Sequence, residues 1–251
     1  SLVNKVPPLL GDIQERWTSA PAASTAPVHY HSVTTPEALE HMAAELRANG
    51  EFSFDVETTG TNPLGVDLVG LSFSCRDSSG YYVPIGHNEG AQLGLEQVLA
   101  TVKALLEDPT VGKVAHNANY DMTVLTNHGI NVQNVTFDTM VAAQMSGKKT
   151  IGLKELVLDV LGVEMTRISE LLGTGKKQTT FDRLPIDDRV RDYACADADF
   201  TGRLRQIFEK DLKEQGFWGL FQDVEMPLVE ILVTMQRNGI TLDVGILREM
   251  S

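Results

Sequence analysis

The chain has 251 residues, a formal net charge of −13, 42% hydrophobic and 22% charged residues. That is ordinary for a soluble globular protein and long enough for one large domain, or one domain with part of a neighbour. No apolar run reaches bilayer length, and the start SLVNKVPPLLGDIQERW lacks the basic, apolar, small-residue order of a signal peptide. Cys75 and Cys195 stand alone, which excludes a disulfide framework and suggests reduced thiols in a cytoplasmic compartment. The acidic balance argues against a simple nucleic-acid-binding module, unless carboxylates cluster around divalent cations and invert the local field.

Residues 1 to about 30 read as a linker, since TSAPAASTAP cannot bury a core. TTPEALEHMAAELRANG then predicts a helix, with Thr35 as N-cap, Pro36 in the first turn and Gly50 as the stop. EFSFDVET, VDLVGLSFSC and GYYVPIG predict three antiparallel strands separated by turn residues. LGLEQVLATVKALLED predicts a helix, VGKVAHNA a short strand, and YDMTVLTNHG a helix closed by Gly129. VTFDTMVAAQMSG reads as a strand end running into a helix, and GLKELVLDVLG as another helix. A long helix follows over IDDRVRDYACADADFTGRLRQIFEKDLKEQG. Strands first, then helices mixed with short strands, imply an α/β layered domain over a mixed sheet. From Phe217 an amphipathic helix, an Asn238-Gly239 turn, an extended ITLD and a helix capped by Asp243 are expected. Because that helix stops about two turns in, the chain is expected to be part of a longer protein.

The stretch FSFDVETTG places Asp55 and Glu57 inside an apolar run, where a carboxylate is costly unless paired or bound to metal. Alternation puts Phe52, Phe54 and Val56 on one face of the strand and Ser53, Asp55 and Glu57 on the other. In HNANYDMTVL, Asn117 and Asp121 are four apart and share a helical face, with Tyr120 beside Asp121. In DYACADAD, Tyr193 and Asp197 share a face, and the small residues between them permit close packing. Each piece also has a plain reading: acids at a fraying strand end, Asn117 as a mere cap with Asp121 solvated, Tyr193 as a core aromatic with Asp197 on the surface. Together, four carboxylates from one strand and two helices are able to hold two hard cations about 3.5–4 Å apart. Oxygen-only ligation favours Mg²⁺ or Mn²⁺ over Zn²⁺. One ion would activate a water and the other would stabilise a leaving 3′ oxygen in an in-line displacement.

The ordered trio DVE, NANYD and YACAD resembles the three motifs of the DnaQ-like (DEDD) 3′–5′ exonucleases. Tyr193, four residues before Asp197, matches the tyrosine branch. The tail LFQDVEMPLVEILVTMQRNGITLDVGILREMS looks like the opening of the polymerase region of the bacterial family A polymerases, the DNA polymerase I group. SLVNKVPPLL resembles the end of their 5′-nuclease module, and TFDRLPIDDRVRDYACADAD their approach to the third motif. The resemblance implies a ribonuclease H-like mixed sheet flanked by helices, and three regions. Residues 1–30 would be a linker, residues 31–216 a proofreading 3′–5′ exonuclease domain, and residues 217–251 the truncated start of the polymerase thumb.

The family further implies that Asp55, Glu57 and Asp197 bind the tighter metal. Asp55, with Asp121 mainly through water, would serve the second, and Tyr193 would orient the attacking water. Asn117 would contact the substrate near the scissile end, and Tyr120 would flank the terminal nucleotide. The large apolar wedge often found after the first motif has no clear counterpart, leaving Thr61 or Leu64 for that place, while Ile168 stands where an aromatic is sometimes found. Lys148, Lys149, Lys176 and Lys177 are loop lysines able to meet phosphates, although plain surface lysines fit each one better. His87 and His116 read as structural. The implied partners are DNA 3′ ends and a covalently linked polymerase domain, with no membrane, in the nucleoid-associated cytoplasm of a bacterium. Two other readings stay open: a catalytically silent scaffold, and a ribonuclease D-like RNA 3′ exonuclease.

Overall fold

In a computed structural model of the protein, residues 28–250 are described. The expected linker, with SLVNKVPPLL inside it, lies outside the described residues up to position 27, as does the Lys177 side chain. The last residues assigned to that linker instead enter a strand, β1 (His29–Ser32). HYHS shows no alternation of apolar and polar residues, so the sequence gives no strand signal there. Parallel backbone pairing to β4 (Ser79–Pro84), from His29 opposite Ser79 to Ser32 opposite Tyr82, holds it in place.

Six strands form one mixed sheet in the order β1-β4-β3-β2-β5-β6. β2 (Glu51–Thr58), β3 (Leu68–Ser74) and β4 are the three expected antiparallel strands. β5 (Gly112–Ala115) and β6 (Val135–Asp138) run parallel to β2. The helices are α1 (Pro36–Asn49), α2 (Leu95–Leu106), α3 (Ala118–Asn127), α4 (Thr139–Met145), α5 (Leu153–Leu161), α6 (Ile168–Leu172) and α7 (Asp188–Glu214). Short α8 (Trp218–Leu220) and a π-helical turn lead into α9 (Met226–Asn238), and α10 (Val244–Met250) follows. Among the described residues no helix is long and apolar enough to cross a membrane.

Local chemistry sets the helix ends. Thr35 Oγ1 accepts from the Ala38 amide, and Gly50 closes α1 at φ 79°, a conformation open to glycine. Asp187 and Asp243 cap α7 and α10 in the same way, accepting from the Val190 and Ile246 amides. On the sheet, Phe54, Phe73 and Tyr81 are cross-strand neighbours on one apolar face. Asp55, Ser72 and Tyr82 are neighbours on the opposite face, which α7 covers. Small residues bring that helix close. A Cβ on Gly80 would lie 3.0 Å from the Cys195 Cβ, and one on Gly202 would lie 3.2 Å from Ser53 Oγ.

The segment after Phe217 packs on the sheet. Phe221 is fully buried with its ring 4.7 Å from that of Phe137, and Met226, Val229 and Val233 join the same core. Beyond them, Ile231, Leu232, Met235 and the apolar residues of α10 are exposed.

Candidate active site

β2 delivers its acids at its C-terminal end, beside the C-terminal ends of its parallel neighbours. α3 springs from β5 through the turn at Asn117, and Asp138 ends β6. Open α/β sheets place ligands outside the carboxyl ends of parallel strands. Here that edge gathers Asp55, Glu57, Asp121 and Asp138, and α7 brings Asp197 to the same place. Asp55, Glu57 and Asp197 offer carboxylate oxygens that all lie within 4.8 Å of one another. Asp121 is not part of that triad. It is buried next door, where its charge interacts with those of Asp55 and Asp138.

Like charges this close in a dry site hold protons against the solvent. Burial first, then Asp197, push Asp55 up to about 8, with Lys154 opposing. Glu57 rises well above the carboxylate range through burial, then through Asp55 and Asp197. Asp121 rises through burial, then Asp55 and Asp138, while the Val56 amide pulls the other way. Asp197 is also raised by burial, and is pulled back by Lys154 and by the Tyr193 hydroxyl that donates to it. Glu57 Oε1 and Asp121 Oδ2 are buried with no hydrogen-bond partner. Orphaned carboxylate oxygens in a cluster without nitrogen or sulfur ligands suit a hard divalent cation, which would satisfy them and cancel their repulsion.

Sequence reasoning missed two charged groups here. Lys154, from the first turn of α5, sets its ammonium against Asp197 Oδ1 and 4.4 Å from the centre of the Tyr193 ring. Its one signal in the sequence is a cation three residues before Val157 on the buried stripe of α5. Asp138 accepts from the amides of Asn117, Ala118, Met140 and Val141, and so ties the start of α3 to that of α4.

A cavity of about 560 Å³ opens beside Glu57 and Tyr193, within the ordinary size range of ligand clefts. Thr61 and Ile168 line it, together with Leu172 and the loop from Gln178 to Phe181, whose last two residues open the TFDRLPIDD segment. Leu64 does not line it and is half exposed. Asn117 sits at φ 68° as the cap of α3, and its side chain makes no cap bond. Tyr120 pins the turn after β2: its hydroxyl lies 2.6 Å from Thr58 Oγ1 and donates to Gly60 O at 2.7 Å. Behind Tyr193 the Phe181 ring lies 6.1 Å away and His87 a further 5.9 Å. His87 Nδ1 donates to Leu184 O, and its Nε2 accepts from the Tyr82 hydroxyl, so the groove loop is fastened to β4. Burial keeps this imidazole neutral by lowering its pKa. His116 meets Thr139 Oγ1 at 2.9 Å, and Lys148 pairs with Asp159 at 2.8 Å.

Residues 30–213 match the 3′–5′ exonuclease family of the DNA polymerase A class. The chain belongs to that family. The exonuclease is 38% identical over 236 residues to DNA polymerase I of Chloroflexus aurantiacus, covering 92% of this chain and 25% of the relative. It is 34% identical to DNA polymerase I of Pseudomonas aeruginosa, over 88% of this chain and again 25% of the relative. The chain thus spans about a quarter of the length of these curated relatives. In fold it is similar to Escherichia coli RNase D, described as an exoribonuclease of structured RNA processing. The TM-score is 0.67 at 19% identity, over 83% of this chain and 51% of that one. That likeness concerns the ribonuclease H-like architecture alone. The polymerase I relatives favour the DNA polymerase branch over the ribonuclease D reading. The exonuclease is a hydrolytic nuclease domain with an acidic cluster suited to divalent metal.

Proposed function

We propose that this domain removes mispaired nucleotides from DNA 3′ ends by hydrolysing the terminal phosphodiester and releasing 5′-mononucleotides. It would do so as the proofreading part, residues 31–216, of a longer DNA polymerase in the bacterial nucleoid. Residues 217–251 would open the polymerase thumb. The observation that carries the reading is the Asp55, Glu57 and Asp197 triad, whose Glu57 also lines a cavity of about 560 Å³, with orphaned oxygens on Glu57 and Asp121.

Asp55, Glu57 and Asp197 would hold one Mg²⁺ or Mn²⁺ ion, and Asp55 with Asp121 a second. When bound, such ions polarise a water and stabilise the leaving 3′ oxygen. The chain's own residues do the rest. Tyr193, backed by Phe181 and donating to Asp197, orients the attacking water. Thr61 and Ile168 line the cavity that would seat the terminal nucleotide, and Asn117 and Tyr120 would flank the scissile end. Selectivity needs no base reading, because a mismatch lowers the cost of unpairing the primer end and delivers frayed ends more often.

Digestion of 3′-labelled DNA tests this. Mg²⁺-dependent release of mononucleotides is expected, faster on single-stranded or mispaired ends than on paired ones, and faster than on matched RNA. Asp55→Ala is expected to lower the rate about 10³-fold, equivalent to about 4 kcal/mol of lost transition-state stabilisation. Equal rates on all three DNA ends would remove the proofreading role, and preference for RNA would reinstate the ribonuclease reading.

A further inference from the structure

The acids of the site are not the only charges in it. α5 is anchored by buried Leu156, Val157 and Val160, and this seats Lys154, one residue into the helix, over the triad with 16% of its side chain exposed. The ammonium touches Asp197 Oδ1 and lies over the face of Tyr193, a cation–π arrangement that holds it without a second carboxylate. Its field reaches Asp55, Glu57 and Asp197 alike, lowering each, and it also disfavours protonation of His116. A lysine so placed occupies an oxygen of Asp197, one of the carboxylates that would hold an ion. Both cations cannot sit against Asp197 Oδ1 at contact distance, and like charges repel strongly in a site of low dielectric.

We propose that Lys154 is a built-in counter-cation of the triad, a positioning residue that holds the acids together before a divalent ion arrives and competes with that ion for Asp197. The inference rests on the proposed metal site and deepens it. Loading becomes an exchange, in which the ion displaces the ammonium from Asp197. The empty site is thereby kept from splaying open, at the expense of ion affinity. Lysine suits this role better than arginine, since a compact ammonium on a flexible stem retracts more easily than a bidentate guanidinium.

Calorimetric titration of the full chain with Mn²⁺ alone tests the exchange. Lys154→Met, similar in length and uncharged, is expected to bind Mn²⁺ about tenfold more tightly than the parent, within the range that neighbours of metal ligands exert. In chelator it is expected to melt several degrees lower. Affinity equal to or weaker than the parent's overturns the proposal, while the metal reading survives if the parent itself binds Mn²⁺. Failure of the parent to bind Mn²⁺ overturns both. A measurement without any variant guards against misfolding of Lys154→Met. Acetylation of Lys154, followed by mass spectrometry against the exposed Lys210 as reference, is expected to rise several-fold when Mn²⁺ is added. Unchanged labelling sinks the idea.

Discussion

At the residue scale, the motif acids were legible because each pair lies within four positions of sequence, where strand and helix periodicity fix the shared face. Lys154 was not, because its partner lies 43 residues away, and of Asp138 only the local cap on Met140 and Val141 was within reach of sequence, since its tie to Asn117 and Ala118 spans about 20 residues. Asp138 shows how much a single such residue can govern. Its Oδ2 accepts from the Ala118 amide at 2.8 Å, and its Oδ1 lies 3.2 Å from the Asn117 amide and 2.8 Å from that of Met140. One carboxylate therefore caps two helices, and the first of them carries Asp121. Asp138→Ala strands the buried Ala118 amide and the part-buried amides of Asn117, Met140 and Val141. The expected loss is about 2–4 kcal/mol of stability by urea denaturation, from the lost caps and the unsatisfied donors. Mn²⁺ affinity should also fall about 10–100-fold, as for other residues that orient metal ligands. Asp138→Asn retains one acceptor oxygen and should lose less than half as much stability. An Asp138→Ala protein within about 0.5 kcal/mol of the parent, below the range for a lost cap, would contradict the capping account.

At the scale of elements, the helices with clear caps and the strands with strong alternation were readable, and the weakly patterned pieces were not. α1 showed its Thr35 and Gly50 ends, and α10 its Asp243 cap. β1 has no pattern of its own and exists through its pairing with β4, while α6 is five residues long with no buried side chain. The site depends most on how closely α7 lies against β2, since α7 carries Tyr193 and Asp197. Ser53 Oγ donates to Ala198 O at 2.6 Å, with Ser74 O at 3.0 Å, so it is fixed from both sides. Gly202 faces it. In an isolated helix Gly→Ala gains about 0.8–1 kcal/mol. Here the new methyl would lie 3.2 Å from an oxygen that has no room to retreat. Overpacking of this kind costs about 1–3 kcal/mol, so it outweighs the propensity gain. Gly202→Ala is therefore expected to lower stability by about 1 kcal/mol and to weaken Mn²⁺ binding by shifting Asp197 from Asp55 and Glu57. A more stable Gly202→Ala protein with unchanged ion affinity would show that α7 has slack.

At the scale of the whole molecule, a net charge of −13 gives an anionic domain that acts on a polyanion, so it should grip DNA weakly by itself at physiological salt. The same acidity makes stability depend on pH. In the ion-free protein Asp55 ionises at about 8 rather than near 3.8, and Glu57, Asp121 and Asp197 shift the same way. Above the ordinary carboxylate range the folded state thus holds more protons than the unfolded chain, and stability falls as pH rises toward 8. Other groups act elsewhere. Asp108, Glu155 and Asp182 are lowered, so their contribution is lost only in acid. His116, lowered to about 4, and His87 oppose the trend only up to the ordinary imidazole range near 6.5. Lys113, lowered to about 8, begins to add stability only above that value. Between about pH 6.5 and 8 the carboxylates outweigh these opposing groups. In chelator the melting temperature is expected to drop across this window by about 4 °C or more, the shift that 1–2 kcal/mol gives in a chain of this size. Asp55→Asn should flatten the slope. Added Mn²⁺ should raise the melting temperature more at pH 8 than at pH 6.5, because the ion takes the place of protons that the acids no longer hold. A melting temperature that is level in chelator across this window would mean that the acids stand apart in solution and share no common site.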